Sequence, residues 1–162
     1  MTTKAAFDAQ EWADVTSAPA LTAMSVVAAE RGGTLRESVS LARAYTDARG
    51  RAATELLREL LSSPPVIDPS SVRPGGDAIR AASELLRAAV ALVERTATAE
   101  ELEDYKRFVL DLADTVASSH KEGGFLGIGG RPVSDAERQA LDAIAATLGI
   151  AREQAPLPPP AA

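Results

Sequence analysis

The sequence predicts an all-α fold, a compact antiparallel bundle of about six to seven helices. Three observations predict it. Apolar residues recur three and four positions apart along several segments, the spacing that gathers them on one face of a helix. Three segments open on a capping box, in which a Ser or Thr hydroxyl and a Glu carboxylate three residues on satisfy backbone N–H groups at the helix start: Thr34 with Glu37, Thr98 with Glu101, and Ser134 with Glu137. No stretch alternates apolar and polar residues as a half-buried strand would. Composition agrees. Alanine, leucine and arginine lose little on entering a helix, and they are abundant here. Aromatic residues make up 4% of the chain, so small alanines set how closely helices approach.

In order along the chain, residues 8–16 read as a short helix with Asp8 as N-cap and Trp12 on its apolar side. Ser17-Ala18-Pro19 reads as a restart, because proline suits the first turn of a helix. A second helix over 19–31 then turns Leu21, Met24, Val27 and Ala28 inward, and Gly32-Gly33 stops it. The Thr34 box opens a helix over 35–49 with Leu35, Val39, Ala42 and Tyr45 inward. Gly50 is either a break or a tolerated kink. Residues 51–61 resume the helix with Leu56, Leu57, Leu60 and Leu61 apolar, and Ser62-Ser63-Pro64-Pro65 ends it. The long aperiodic connection to Gly76 is of a kind that is usually functional or mobile. Asp77 caps a helix to Arg95 with Ile79, Ala82, Leu86, Ala89 and Val93 inward. The helix over 99–119 shows Leu102, Tyr105, Val109, Leu112 and Val116 at near-ideal spacing. The last helix carries Leu141, Ile144, Ala145 and Leu148, and Gly149 fits the left-handed C-cap. Residues 5–150 form one domain on this reading, with halves 8–62 and 77–150, and 151–162 are a disordered, proline-rich tail. Helix, Gly-Gly and a capped helix occur in both halves, which would suit a duplicated helix–loop–helix unit.

The formal charge is −6 over 162 residues. Duplex nucleic acid is bound mainly through Lys and Arg on phosphates, so an acidic chain without a basic cluster argues against a nucleic-acid partner and against an anionic membrane surface. With no cysteine there is no disulfide, thiolate metal site or thiol nucleophile. No signal-peptide pattern opens the sequence, and no run approaches the roughly 20 apolar residues of a transmembrane segment. Cytoplasm is the expected location.

One stretch escapes helical periodicity: His120-Lys121-Glu122-Gly123-Gly124-Phe125-Leu126-Gly127-Ile128-Gly129-Gly130-Arg131-Pro132. It lacks the lysine and hydroxyl that complete a phosphate loop, and no strand precedes it. Nor does it match a dinucleotide fingerprint. Three readings stand. Phe125, Leu126 and Ile128 fold back onto the bundle, the glycines permitting positive φ. Alternatively, the loop holds an anion beside Arg131 at a helix N-terminus. In the third, it is an exposed apolar surface that docks a protein partner.

Metal and catalysis find thinner material. His120 is the sole histidine, and Asp114 lies six residues before it, off a shared helical face. Asp111 shares Asp114's helix, and Glu103, Asp104, Lys106 and Arg107 read as a solvated face. There is no GxSxG elbow, and carboxylate pairs are too common to single out an acid–base couple. The expectation is a protein that is not an enzyme and carries no cofactor.

Glu122-Gly123 followed by Val133-Ser134-Asp135-Ala136-Glu137-Arg138 resembles the TerB family of tellurite-resistance helical proteins, over about the last third of the chain. In that family an Ala-Asp-Gly loop leads to a Ser-x-x-Glu helix start. The resemblance implies a helical bundle, stress or tellurite resistance, cation binding by acidic residues, here Glu122 and Glu137, and protein partners. This chain has the longer loop, Glu122 for the usual Asp, and Arg31 before Gly32 where an acid is expected. The resulting reading is a non-enzymatic helical interaction or sensing module. Residues 121–132 are its distinctive surface, with Gly123, Gly124, Phe125, Leu126, Gly127, Ile128, Gly129, Gly130 and Arg131 as the candidate contact residues for a protein partner, whether the loop packs on the bundle or stands exposed.

Overall fold

Six α-helices and one short 3-10 turn, Lys4–Ala6, make up the regular structure of the computed structural model, which describes residues 1–28, 35–62, 76–119 and 134–151. The helices are α1 (Ala9–Ala28), α2 (Leu35–Arg51), α3 (Glu55–Ser62), α4 (Gly76–Thr96), α5 (Ala99–Ser119) and α6 (Asp135–Leu148). Among the described residues there is no strand. The 120–133 loop, the 63–75 connection, the Thr34 box and the tail beyond 151 lie outside the described residues.

Three helix starts carry capping chemistry, whereas α4 begins at Gly76, so Asp77 lies inside the helix it was expected to cap. Asp8 Oδ1 accepts from the Gln10 and Glu11 amides at 2.8 Å each, and the Asp8 amide donates to Glu11 Oε2 at 3.0 Å. That is a further capping box, with Asp in the hydroxyl's place. The Thr98–Glu101 and Ser134–Glu137 boxes are both closed. At the other end of α6, Gly149 sits at φ +67°. Its N–H reaches Ala146 O, and the Ile150 N–H reaches Ala145 O, the paired bonds of a Schellman motif.

α1 departs from expectation. It runs unbroken through Pro19, where a restart was expected. Proline has no N–H to give the carbonyl one turn back, that of Val15. The Tyr105 hydroxyl, fully buried on α5, donates to Val15 O at 2.9 Å and takes the missing amide's place. The inward face also differs. Leu21 and Met24 are only half-buried, whereas Val15, Ala18, Ala20, Ala23 and Val26 are enclosed, together with Thr16, Thr22 and Ser25. α1 packs most extensively on α4 and α5 and also touches α2 and α6. A helix enclosed on several sides has no single apolar stripe for periodicity to find.

Gly50 does not break α2; the chain turns at Ala52 to Thr54 instead. Space around Gly50 is open, so it is tolerated as an exposed helix residue. Arg49 Nε and Nη2 both donate to the Leu61 carbonyl, holding the end of α3 to α2. Elsewhere most of the expected inward residues are buried: Leu56, Leu57, Leu60 and Leu61; Ala82, Leu86, Ala89 and Val93; Tyr105, Val109, Leu112 and Val116; Leu141, Ile144, Ala145 and Leu148. Ile79 and Leu102 are only half-buried, and Ala42 is exposed because the inward face of α2 runs through Leu41, Ala44, Tyr45 and Ala48 instead. Side chains from all six helices join one apolar cluster.

Candidate functional site

Of the residues singled out in the sequence, Glu122, Gly123, Gly124, Phe125, Leu126, Gly127, Ile128, Gly129, Gly130 and Arg131 lie outside the described residues, as does His120. Glu137 is described. It is buried, its Oε2 accepts from the Ser134 amide at 2.8 Å, and its own amide donates to Ser134 Oγ at 3.2 Å. Its Oε1 is enclosed without a hydrogen-bond partner. Among the described residues no three His, Asp or Glu side chains converge as metal ligands.

The feature that sequence reasoning missed is a groove of about 300 Å³ between α2, α3 and α5. Two alanines one turn apart on α2, Ala44 and Ala48, face Phe108 and Leu112 of α5, and Ala53 and Leu57 close the α3 side. Small side chains on α2 leave the space. The Arg49 bond to Leu61 O fixes the wall that borders it. Behind the floor, the Tyr45 ring meets Phe108 edge-on, with centroids 5.4 Å apart and planes at 87°. The contact holds Phe108 in place.

Charged residues ring this floor: Asp47 and Arg51 from α2, and Asp104, Arg107 and Asp111 from α5. Asp104 and Asp111 are two turns apart on one face of α5. The four charged residues 103, 104, 106 and 107 are therefore not one solvated face. Lys106 pairs with Glu103 at 3.4 Å, while the Asp104 side chain is 19% exposed and points to Arg107 Nη1 through Oδ1 at 3.6 Å. Asp104 Oδ2 is enclosed and has no hydrogen-bond partner. The Asp111 carboxyl titrates above the ordinary aspartate value. Burial is the largest cause; Arg51 opposes it, Asp114 adds to it, and Arg107 opposes it. Arg51 on α2 and Asp111 on α5 thus sense one another across the groove.

Apolar floor and charged rim make a surface suited to binding: burial supplies attraction and the rim supplies orientation. Its volume is at the lower end of the roughly 300–1,000 Å³ typical of ligand pockets. The one hydroxyl in the lining, Thr115 Oγ1, donates to its own helix at Asp111 O, 2.7 Å away. The signal that could have found the groove was the repeat of small and charged residues on α2 (Ala44, Asp47, Ala48, Arg51) opposite the like-spaced Asp104, Arg107 and Asp111.

In comparisons with protein-family models, with curated proteins and with solved structures, nothing matches this chain. Among the described residues no helix is long and apolar enough to cross a membrane.

Proposed function

We propose that this chain is a non-enzymatic helical interaction module, and that the α2–α3–α5 groove receives a segment of a partner protein. One observation carries the reading: an apolar floor of Ala44, Ala48, Leu57, Phe108 and Leu112 opens to the surface inside a ring of charge. The floor side chains Leu57, Phe108 and Leu112 are themselves nearly covered, so the opening is the concave space above them inside the charged rim, not an exposed apolar patch. A concave apolar floor inside a ring of charge has the form of a helix- or strand-docking site, with side-chain anchors in the groove and polar contacts at its rim.

The test fills the groove. Peptides selected from a random displayed library are titrated into the isotope-labelled chain, and amide shifts at Ala44, Ala48, Phe108 and Leu112 are followed. Ala48→Trp, half-buried at the groove's edge, should occupy the space and weaken binding at least roughly tenfold, with an unchanged circular dichroism spectrum. Selected peptides that shift amides elsewhere, or that bind folded Ala48→Trp undiminished, would refute the assignment.

A further inference from the structure

We infer that the segment taken by the groove is basic, with a Lys or Arg side chain laid along the apolar floor and its charged head against Asp104 and Asp111. The inference rests on the docking reading above and specifies its partner.

The rim holds three carboxylates and two guanidinium groups. One carboxylate oxygen, Asp104 Oδ1, faces a guanidinium, Arg107, at 3.6 Å. Asp104 Oδ2 is a wholly enclosed acceptor with no donor, and an enclosed oxygen on a charged group is costly to leave unmatched. Among the described residues neither the Asp47 nor the Asp111 carboxylate is held in an ion pair. Arg51 does not neutralise them at close range: its Nε reaches back to the Asp47 carbonyl of its own helix at 3.4 Å. Carboxylates outnumber guanidinium groups three to two around the floor, so the complementary occupant brings positive charge.

The floor selects the form of that cation. A bare metal ion needs several converging oxygens, and none converge here among the described residues. Lys and Arg carry three or four methylenes that cover apolar surface while the head stays polar, which matches Ala48, Phe108 and Leu112 beside Asp104 and Asp111. The chain's charge of −6 draws such a segment in from a distance.

Three synthetic peptides of one length decide the matter, each with blocked ends and alternating leucine with arginine, glutamine or glutamate. They are titrated into the full isotope-labelled chain at low and high salt. The arginine peptide should shift Ala48, Phe108 and Leu112 amides and bind roughly tenfold tighter than the glutamine peptide. Added salt should narrow that advantage. Asp104→Asn and Asp111→Asn, each checked for an intact melt, should remove most of it, while Glu84→Gln, at an exposed position of α4, should not. If the glutamine or glutamate peptide binds the groove as well as the arginine peptide, the basic preference is wrong and docking stands. If Glu84→Gln costs as much as Asp104→Asn, the attraction is diffuse and the site is refuted. If no peptide shifts the groove amides, the docking reading falls with it.

Discussion

Glu101 does two jobs with one carboxylate. Its Oε2 accepts from the Thr98 amide and hydroxyl at 3.1 Å each, closing the first turn of α5. The Thr2 amide donates to its Oε1 at 2.8 Å and the Thr2 hydroxyl to its Oε2 at 2.7 Å, pinning the start of the chain to α5 across 99 positions. Burial alone would raise its pKa, but the hydrogen bonds from Thr2 and Thr98 together outweigh burial and bring it from 4.5 down to about 2. Because the folded value is the lower one, the bonded carboxylate stabilises the fold fully above about pH 4.5 and loses that contribution as pH falls through 2. Glu101→Gln should therefore cost about 1–3 kcal/mol at pH 7. Its melting temperature should converge with that of the unaltered chain between pH 4.5 and 2. Thermal melts across that range check it; a constant gap at every pH would mean that the charge contributes nothing. The capping role of Glu101 was legible from Thr98-x-x-Glu101. The Thr2 contact was not, since nothing local relates residue 2 to residue 101.

The helices differ in how well they could be read, and the difference is physical. α3 to α6 each bury one stripe, so leucines and alanines at three- and four-residue spacing located their inward faces in advance. α1 is enclosed on several sides by α4, α5, α2 and α6. Its larger residues Leu21 and Met24 look like a stripe, yet Ala20, Ala23 and Val26 occupy the tightest positions. Pro19 misled for a related reason: a proline inside a helix is tolerated when another donor meets the stranded carbonyl, and that donor comes from a helix 90 residues away. Tyr105→Phe should strand Val15 O and destabilise the protein by about 1–3 kcal/mol. Pro19→Ala restores an amide that can reach Val15 O. In that background the Tyr105→Phe penalty should shrink by about 1 kcal/mol. Denaturant unfolding of the four proteins in this cycle measures the coupling, and simple additivity would show that the hydroxyl does not stand in for the amide. The groove was hidden by the same non-locality. Ala44 and Ala48 look like ordinary helix filler, and Asp104 looks solvated, until α2 and α5 are laid side by side.

At the scale of the whole molecule, the two sequence halves, 8–62 and 77–150, do not pack as two bodies. α1 belongs to the first half, yet its most extensive packing is on α4 and α5 of the second, and α2 also rests on α5. One apolar cluster draws on every helix. A half expressed alone would expose the faces of Val15, Ala23 and Val26, or of Leu86, Val93, Tyr105 and Val109, all enclosed in the complete chain. At about 25 cal/mol per Å² of apolar surface, such losses outweigh the few kcal/mol of net stability that a small domain holds. Residues 1–75 and 76–162, made separately, should each lack a cooperative thermal transition, while the complete chain should unfold in one step seen alike by far-ultraviolet circular dichroism and by Trp12 fluorescence. Trp12 reports from α1, where its ring lies 5.6 Å from Phe7; helix content reports from all six elements. If either fragment melts cooperatively, that half carries a core of its own. The groove would then be a seam between two units, because its walls come from α2 and α3 on one side and α5 on the other.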